Sequence, residues 1–195
     1  MSEFWREVLG LFASVAPLGA LPVFAAHAGR VGVGRRASLA IRVGLLSFAL
    51  LAAAIALGDP FLAWIDVSPE NFQLAAGLAM MPLAFRLLWA GDSMGVCLDQ
   101  ATGVVGSSWL MPLAVPLVAG PASLAAAISY GTRFGVGSTL GAAALTIALT
   151  TATFVAGPLL LRLLGAAGVS ALGRLSGLLL VVIVVELMVD GVQSV

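Results

Sequence analysis

Long apolar stretches separated by short polar segments run through the whole chain. Each stretch is about as long as the roughly 20 apolar residues that a membrane-spanning helix needs. The second stretch is predicted to stop before Gly58-Asp59-Pro60, a sequence typical of a turn. The pattern therefore predicts six helices, over residues 8–28, 39–57, 72–90, 108–129, 138–160 and 172–192.

Composition indicates that lipid is the solvent of these helices. Of the 195 residues, 61% are hydrophobic and only 9% are charged, whereas soluble domains carry about a quarter charged residues. The formal net charge is zero and neither end of the chain is a basic tail, so nucleic-acid binding is not expected. With one histidine and one cysteine, neither a metal site nor a catalytic nucleophile and its base can be assembled. We expect no enzyme activity, no cofactor and no intrachain disulfide.

The arginines predict how the chain crosses the membrane, because cytoplasmic connections are enriched in basic residues. If the N-terminus lies outside, only Arg6 and Arg133 fall on the outer side. The seven that fall inside are Arg30, Arg35, Arg36, Arg42, Arg86, Arg162 and Arg174. Both termini are therefore predicted to be extracytoplasmic.

A six-residue pattern occurs twice. Residues 17–22 and 116–121 both read Pro-Leu-x-Ala-x-Pro, 99 positions apart, and each copy lies inside an apolar run. Proline lacks a backbone donor and its ring clashes with the preceding turn, so two prolines five residues apart interrupt a helix. In lipid such an interruption survives only where the freed backbone groups face protein or a watery cavity. The pattern predicts that the first and fourth helices are both broken.

The two copies divide the chain into halves, about 1–91 and 107–195, of three helices each. Because the halves enter the membrane from opposite sides, they form a 3+3 inverted repeat in an all-α membrane protein. With an offset of 100, Gly77-Leu78 aligns with Gly177-Leu178. In transporters an inverted repeat brings interrupted helices together near the bilayer midplane, where the substrate binds.

The paired interruptions predict a mid-membrane site for a small zwitterion. Half-helix N-termini attract a carboxylate, and unwound carbonyl groups accept hydrogen bonds from an ammonium group. The predicted substrate-binding residues are Ala16, Pro17, Gly19, Ala20, Pro22, Pro116, Ala119, Gly120 and Pro121. The alternative is that the prolines only kink helices that pack against their neighbours, since proline is common in membrane helices.

Two charged residues lie deepest in the third and sixth helices. Arg86 and Glu186 are equivalent positions of the two halves and have opposite charge. A charge inside a membrane is by default a functional hypothesis, and we assign both to gating or proton coupling. The alternative for Arg86 is that its long side chain reaches the interface. Because the two helices run in opposite directions, a direct ion pair between Arg86 and Glu186 is not expected.

The motifs together resemble the MarC family. Residues 16–24 are similar to its Asn-Pro-x-Gly-x-x-Pro-x-Phe signature, residues 112–121 to its fourth-helix motif, and residues 160–192 to its last loop and helix. The resemblance implies a six-helix protein of the bacterial inner membrane, related to LysE-type exporters. Some members of the family are described as transporters of small neutral amino acids.

This chain departs from the family pattern at three positions. Ala16 stands where the family usually has Asn, Arg86 where it usually has Asp, and Glu186 where it usually has Gln. The resemblance and the motifs lead to the hypothesis of a secondary transporter of small neutral amino acids or similar metabolites. The coupling ion, H+ or Na+, and an oligomeric state are left open. The alternatives are a non-transporting membrane interaction or assembly protein and a channel.

Overall fold

Helices make up the regular structure of every part of the chain that is described. The computed structural model describes residues 3–21, 24, 35–90 and 118–193. Its five helices are α1 (Glu3–Val15), α2 (Arg36–Trp64), α3 (Pro69–Ala90), α4 (Pro121–Phe134) and α5 (Val136–Gln193).

Five helical segments are long and apolar enough to cross a membrane: Glu3–Leu21, Arg36–Trp64, Pro69–Trp89, Val136–Gly157 and Ser170–Val192. They correspond to five of the six helices predicted from the sequence. The predicted fourth helix, residues 108–129, lies partly outside the described residues, and its described part is the start of α4. Large apolar side chains such as Leu45, Leu57 and Leu178 are exposed on the surface of the bundle, as expected of a protein dissolved in lipid. The prediction of an all-α membrane protein is therefore confirmed.

The predicted turn at Gly58-Asp59-Pro60 is wrong, because α2 continues through it to Trp64. Proline within a helix removes one hydrogen bond but need not end the helix. Here the next residues are apolar and Leu62 is buried, so continuing the helix adds packing. A Cβ at Gly58 would collide with Ile128 of α4, which makes this glycine a packing residue. The turn to α3 comes after Trp64, at Ile65 and Asp66.

The predicted connection between the fifth and sixth helices is also mostly helical. Helix α5 covers both, with a kink at Gly165, where φ is 63° and ψ is −178°. Only glycine adopts this conformation readily. We call Val136–Gly157 the first arm of α5 and Ser170–Val192 its second arm.

Helix α3 packs antiparallel against the second arm through glycines. A Cβ at Gly77 would lie 2.6 Å from Cγ of Met188, and a Cβ at Gly177 would collide with the backbone of Leu88. Small residues let two membrane helices approach this closely. The offset of 100 between the halves relates the two contacts to each other. Gly77 corresponds to Gly177 and Leu88 to Met188, so the Gly77–Met188 contact is equivalent to the Gly177–Leu88 contact.

The start of α1 lies beside both ends of α5. Glu7 of α1 contacts Ser138 and Thr139 in the first turn of the first arm. Arg133, just before that arm, forms an ion pair with Asp190 at the end of the second arm, with 3.6 Å between its guanidinium nitrogen and the carboxylate oxygen. We call this side of the molecule the N-terminal end of the bundle.

The core is centred on α1. Leu11, Val15 and Leu21 are fully buried and belong to one cluster with residues of α2, α4 and the first arm. Phe24 stacks on Phe154 of the first arm with ring centroids 4.5 Å apart. Burial of α1 among the other helices places its interruption, described next, inside the protein rather than against lipid.

Candidate functional site

Helix α1 is interrupted immediately before the first proline motif. It ends at Val15, Ala16 has φ of 46°, and residues 17–21 are again helical. A positive φ is uncommon for a residue other than glycine. The amides of Gly19 and Ala20 donate hydrogen bonds to the carbonyl of Ala16, at 3.0 and 3.1 Å. The carbonyl at the interruption is therefore satisfied within the chain.

Helix α4 begins at Pro121, after the extended residue Gly120 with φ of −84° and ψ of 173°. The hydroxyl of Ser123 donates towards the carbonyls of Val118 and Gly120, each at 3.0 Å. A proline is well suited to a first helical position because its missing amide would be unpaired there. The second motif thus supplies the start of a helix whose preceding carbonyls are bonded by a serine.

The predicted binding residues at the two motifs are mostly packed. Pro17, Gly19, Ala20, Ala119 and Gly120 are buried, whereas the remaining described positions are half-buried. Those remaining positions are Ala16 and Pro121, and the predicted residues Pro22 and Pro116 lie outside the described residues.

Gly19 packs against the helix pair described above. A Cβ at Gly19 would lie 2.9 Å from Cβ of Ser176 on the second arm and 3.1 Å from Leu87 of α3. Ala20 and Val118 belong to the same core cluster. The structure therefore brings the first motif against α3 and the second arm, and both motifs into one core.

A polar cavity of about 100 Å³ lies at the N-terminal end of the bundle. It has room for several water molecules or for a solute of a few heavy atoms. Four elements meet around it: α1, α3, α4 and the second arm. The polar side chains on its wall are those of Gln73, Ser129, Tyr130, Arg133, Glu186 and Asp190.

The cavity wall carries both signs of charge. Arg133 is the cation, and Glu186 and Asp190 are the acids. The Arg133–Asp190 pair is long, at 3.6 Å, and half-exposed, so it is a weak interaction. Gln73 and Ser129 are buried, with 4% and 5% of their surface exposed. The site can therefore offer a cation, a carboxylate and uncharged hydrogen-bonding groups to one small polar molecule.

Of the two charged residues predicted to gate the protein, only Glu186 lines this cavity. Arg86 is exposed near the end of α3. Met188 packs on Gly77 and Leu88 packs on Gly177, so the antiparallel helices place Arg86 level with about residue 179. Glu186 is therefore about seven residues away from Arg86 along the axis of the helix pair. This corresponds to roughly 10 Å at ~1.5 Å per residue, in agreement with the expectation that they do not pair.

Glu7 is the most buried acidic residue among those described, with 0% of its surface exposed. One of its carboxylate oxygens accepts a hydrogen bond from the Ser138 hydroxyl at 2.7 Å, and the other accepts one from the Thr139 hydroxyl at 3.0 Å. Both donors lie in the first turn of α5, where the unpaired amides and the helix dipole favour a negative charge. The carboxyl group is thus fully enclosed and bonded on both oxygens.

Sequence reasoning missed Glu7 and the cavity-lining residues of α3 and α4. Glu7 could have been found from helical spacing, because it shares a face with the buried Leu11 and Ser14, four and seven positions further on. An acid on the apolar face of a membrane helix is a functional candidate. Gln73, Ser129 and Tyr130 carry no such signal, since isolated polar residues are common near helix ends.

A larger groove, of about 720 Å³, lies between α2 and the first arm. Its lining is apolar apart from Thr151. The Thr151 hydroxyl lies against Gly44, where an added Cβ would collide with it. A lining of this kind suits lipid chains and offers almost no groups for orienting a polar substrate. The cavity at the N-terminal end is therefore the better candidate for a polar ligand.

An apolar surface and five membrane-length helical segments define a multi-pass α-helical integral membrane protein. The family model described as the MarC family integral membrane protein matches residues 1–195. The chain therefore belongs to the MarC family, as its motifs predicted.

Curated relatives match the chain along almost its entire length. The UPF0056 membrane protein YhcE of Escherichia coli K12 is 29% identical over 98% of this chain and 93% of its own length. The UPF0056 inner membrane protein YhgN of the same strain is 28% identical over 99% and 98%. An archaeal UPF0056 membrane protein, from Pyrococcus horikoshii, is 25% identical over 95% and 92%. No solved structure gives a significant match.

Proposed function

We propose that the protein is a secondary transporter of small neutral amino acids or similar small metabolites in the bacterial inner membrane. The observation that carries the proposal is the polar cavity between α1, α3, α4 and the second arm. A bundle that served only as a structural partner would have little need for the buried polar side chains of Gln73 and Ser129 on the cavity wall, because burying a polar group is costly unless it is hydrogen-bonded. We expect neither an enzymatic reaction nor a cofactor.

The architecture that supports transport is a 3+3 inverted repeat with interruptions in its first and fourth helices. The reciprocal contacts of Gly77 with Met188 and of Gly177 with Leu88 support the repeat, because a two-fold axis exchanges them. The end of α1 at Val15 and the start of α4 at Pro121 support the two interruptions. In this scheme the two motifs form the mid-membrane part of the substrate path, and the cavity is its opening on one side.

The charges of the cavity favour a zwitterion. The guanidinium of Arg133 matches a carboxylate, and the carboxylate of Glu186 would accept hydrogen bonds from an ammonium group. The long Arg133–Asp190 pair would allow Arg133 to exchange Asp190 for a substrate carboxylate. The small volume favours glycine or alanine over large solutes. Glu186 would also act as a gating residue at the cavity. Arg86 lies nearer the opposite end of the helix pair, where it would either gate the substrate path or anchor α3 at the membrane interface.

The charge distribution of the fold supports an outer location for the cavity. All described acidic residues lie at the N-terminal end of the bundle: Glu3, Glu7, Asp59, Asp66, Glu70, Glu186 and Asp190. Of the described arginines outside the α5 kink region, Arg6 and Arg133 lie there too, and the others lie towards the opposite end. By the positive-inside rule the opposite end is cytoplasmic. Both termini would then be extracytoplasmic.

Counterflow of labelled glycine and alanine in proteoliposomes tests the proposal. The native chain should give saturable flux. Gln73→Leu keeps the approximate size of a buried cavity residue but removes its hydrogen-bonding groups, and it should lower the flux about tenfold, since a lost buried hydrogen bond costs about 1–3 kcal/mol. The matched control is Asn71→Leu, two residues earlier in α3 and exposed, which should leave the flux unchanged.

Other outcomes would support the rival functions. If folded native protein gives no flux with either amino acid, the amino-acid proposal is wrong, and a non-transporting interaction protein becomes the better description. Flux that does not saturate and follows the membrane potential would instead indicate a channel. If Gln73→Leu and Asn71→Leu reduce flux equally, the cavity is not part of the path.

A further inference from the structure

We propose that Glu7 is the proton-binding residue of the transport cycle, so that substrate movement is coupled to the proton gradient. The inference rests on the proposed transport function and specifies its coupling ion. In the cycle the Glu7 carboxylate takes up a proton from one aqueous phase and, as a carboxylic acid, releases it to the other. No other covalent bond is made or broken.

The surroundings of Glu7 accommodate both protonation states. Its two oxygens are bonded by the hydroxyls of Ser138 and Thr139. A hydroxyl both donates and accepts hydrogen bonds, so the same pair can donate to a carboxylate or accept from a carboxylic acid. A residue that must alternate between the two forms needs hydrogen-bonding partners of this kind.

Among the described residues, no cation forms an ion pair with Glu7, and Arg133 pairs with Asp190. A buried carboxylate that only ties helices together would usually be paired with a cation, because an unpaired buried charge is costly. Glu7 instead has neutral partners, which leaves its charge free to change.

The titratable groups near Glu7 lie on α1 itself and around the nearby cavity. On α1 itself, Arg6 and Glu3 are exposed. From α4, Tyr130 lies against Gly10, one turn along α1 from Glu7, and its hydroxyl would meet a Cβ placed there. Tyr130 is within electrostatic range of four charged groups: Glu7, Arg133, Glu186 and Asp190.

Gly10 and Tyr130 both line the cavity. The cavity therefore ends about one helical turn, roughly 4.5 Å of helix rise, from the position of Glu7 on α1. In the proposed cycle, a proton would reach Glu7 from the aqueous side across this short separation.

The position of Glu7 also explains how protonation could change the conformation. Glu7 lies in the first half of the chain, and Ser138 and Thr139 lie in the second. Its hydrogen bonds therefore join the two halves whose relative movement would alternate access. Charge-assisted hydrogen bonds are about twice as strong as neutral ones, so protonation weakens this link at the moment when the halves must move.

Transport measurements on three variants test the proposal. Glu7→Gln keeps the length and hydrogen-bonding groups but cannot bind and release a proton. In proteoliposomes it should retain counterflow of labelled alanine at equal pH within about twofold. It should lose alanine accumulation driven by a pH gradient, and it should lose the alanine-dependent signal of a pH dye inside the vesicles. Glu3→Gln, exposed and one turn away on α1, should behave as the native chain.

Glu7→Asp separates proton binding from a structural role. It keeps an ionisable carboxyl group but shortens the side chain, and it should retain part of the accumulation. If Glu7 only held α1 to α5, Gln would behave as the native residue and Asp would fail. Native activity in Glu7→Gln together with loss of activity in Glu7→Asp would overturn the proposal. The proposal would also be wrong if Glu7→Gln accumulated alanine under a pH gradient as well as the native protein does.

An infrared measurement tests proton binding without transport. Difference spectra between acidic and neutral pH should contain carboxylic-acid carbonyl bands from all carboxyl groups that protonate, and one component present in the native protein and in Glu3→Gln should be missing in Glu7→Gln. If the native protein transports no amino acid but the band assigned to Glu7 is present, only the proposed function fails. If transport is observed but Glu7→Gln leaves the spectrum unchanged, only the assignment of Glu7 fails.

Discussion

Ala16 has a backbone conformation that its side chain does not favour. With φ of 46° it lies in the left-handed region, which costs an alanine about 1–2 kcal/mol but suits Gly and, to a lesser degree, Asn. The MarC signature resembled by residues 16–24 usually has Asn at this position. The Asn of the family would therefore serve the backbone at the helix interruption, in addition to any contact with a substrate.

We expect both Ala16→Asn and Ala16→Gly to raise the thermal stability of the protein in detergent. A gain of about 1 kcal/mol corresponds to roughly 2–4 °C for a chain of this size. Ala16→Val should lower the melting temperature, because a β-branched residue tolerates positive φ poorly. Ala13→Asn is the control within α1: in a helical conformation Asn is less favourable than Ala, so the same change should have the opposite sign. Equal effects at both positions would contradict this account.

At the residue level, the sequence could not show what depends on burial. The proline motifs predicted that the first and fourth helices are broken; α1 ends at Val15 and α4 begins at Pro121, and the pair of broken helices stays a prediction. The sequence could not reveal that Gly19 packs on Ser176 or that Ser138 and Thr139 reach Glu7, because these contacts join positions more than 130 residues apart. Such pairs depend on how whole helices are placed.

At the level of the elements, the antiparallel pair of α3 and the second arm depends on two glycines of unequal tolerance. A Cβ at Gly177 would collide with the backbone of Leu88, whereas one at Gly77 would mainly meet the flexible side chain of Met188 at 2.6 Å. A side chain can move aside more easily than a backbone segment. Gly177→Ala should therefore be the more damaging change.

We expect Gly177→Ala to destabilise the protein by about 1–3 kcal/mol, the usual effect of overpacking, and Gly77→Ala to destabilise it less. Gly137→Ala is the control, because a Cβ there has no heavy atom within 4 Å. It should stabilise the first arm by about 0.5–1 kcal/mol through the loss of glycine flexibility. Unfolding in detergent measures all three variants, and a destabilising Gly137→Ala would show that glycine content rather than close packing sets the result.

The bounds of the helices could be predicted only in part. Apolar length placed five helical segments correctly, because a span in lipid needs a minimum run of apolar residues. Turn residues were less reliable: Gly58 and Pro60 lie within α2, and α5 bends at Gly165 instead of forming a longer loop. In lipid every backbone polar group needs a partner, so a helix tends to continue through residues that would end it in water.

At the level of the whole molecule, both termini lie at the same end of the bundle as one loop. The side of the membrane on which that loop lies is therefore also the side of both termini. The start of α1 and the end of α5 lie at the same end of the bundle, since Glu7 contacts the first turn of α5 and Arg133, next to it, pairs with Asp190. The turn between α2 and α3, with Asp66, lies at that end too. The start of the second arm, with Ala171, lies at the other.

Cysteine labelling in cells therefore tests the orientation of the entire chain. In a Cys97→Ser background, Asp66→Cys should react in intact cells with a maleimide that cannot cross the inner membrane, because the acidic end of the bundle faces outward under the positive-inside rule. Ala171→Cys, also exposed but at the arginine-rich end, should react only after the membrane is permeabilised. The reverse pattern would place both termini and the polar cavity on the cytoplasmic side. The proton would then reach Glu7 from the cytoplasm, and the direction of the pH gradient that drives accumulation in the Glu7 experiments would have to be inverted.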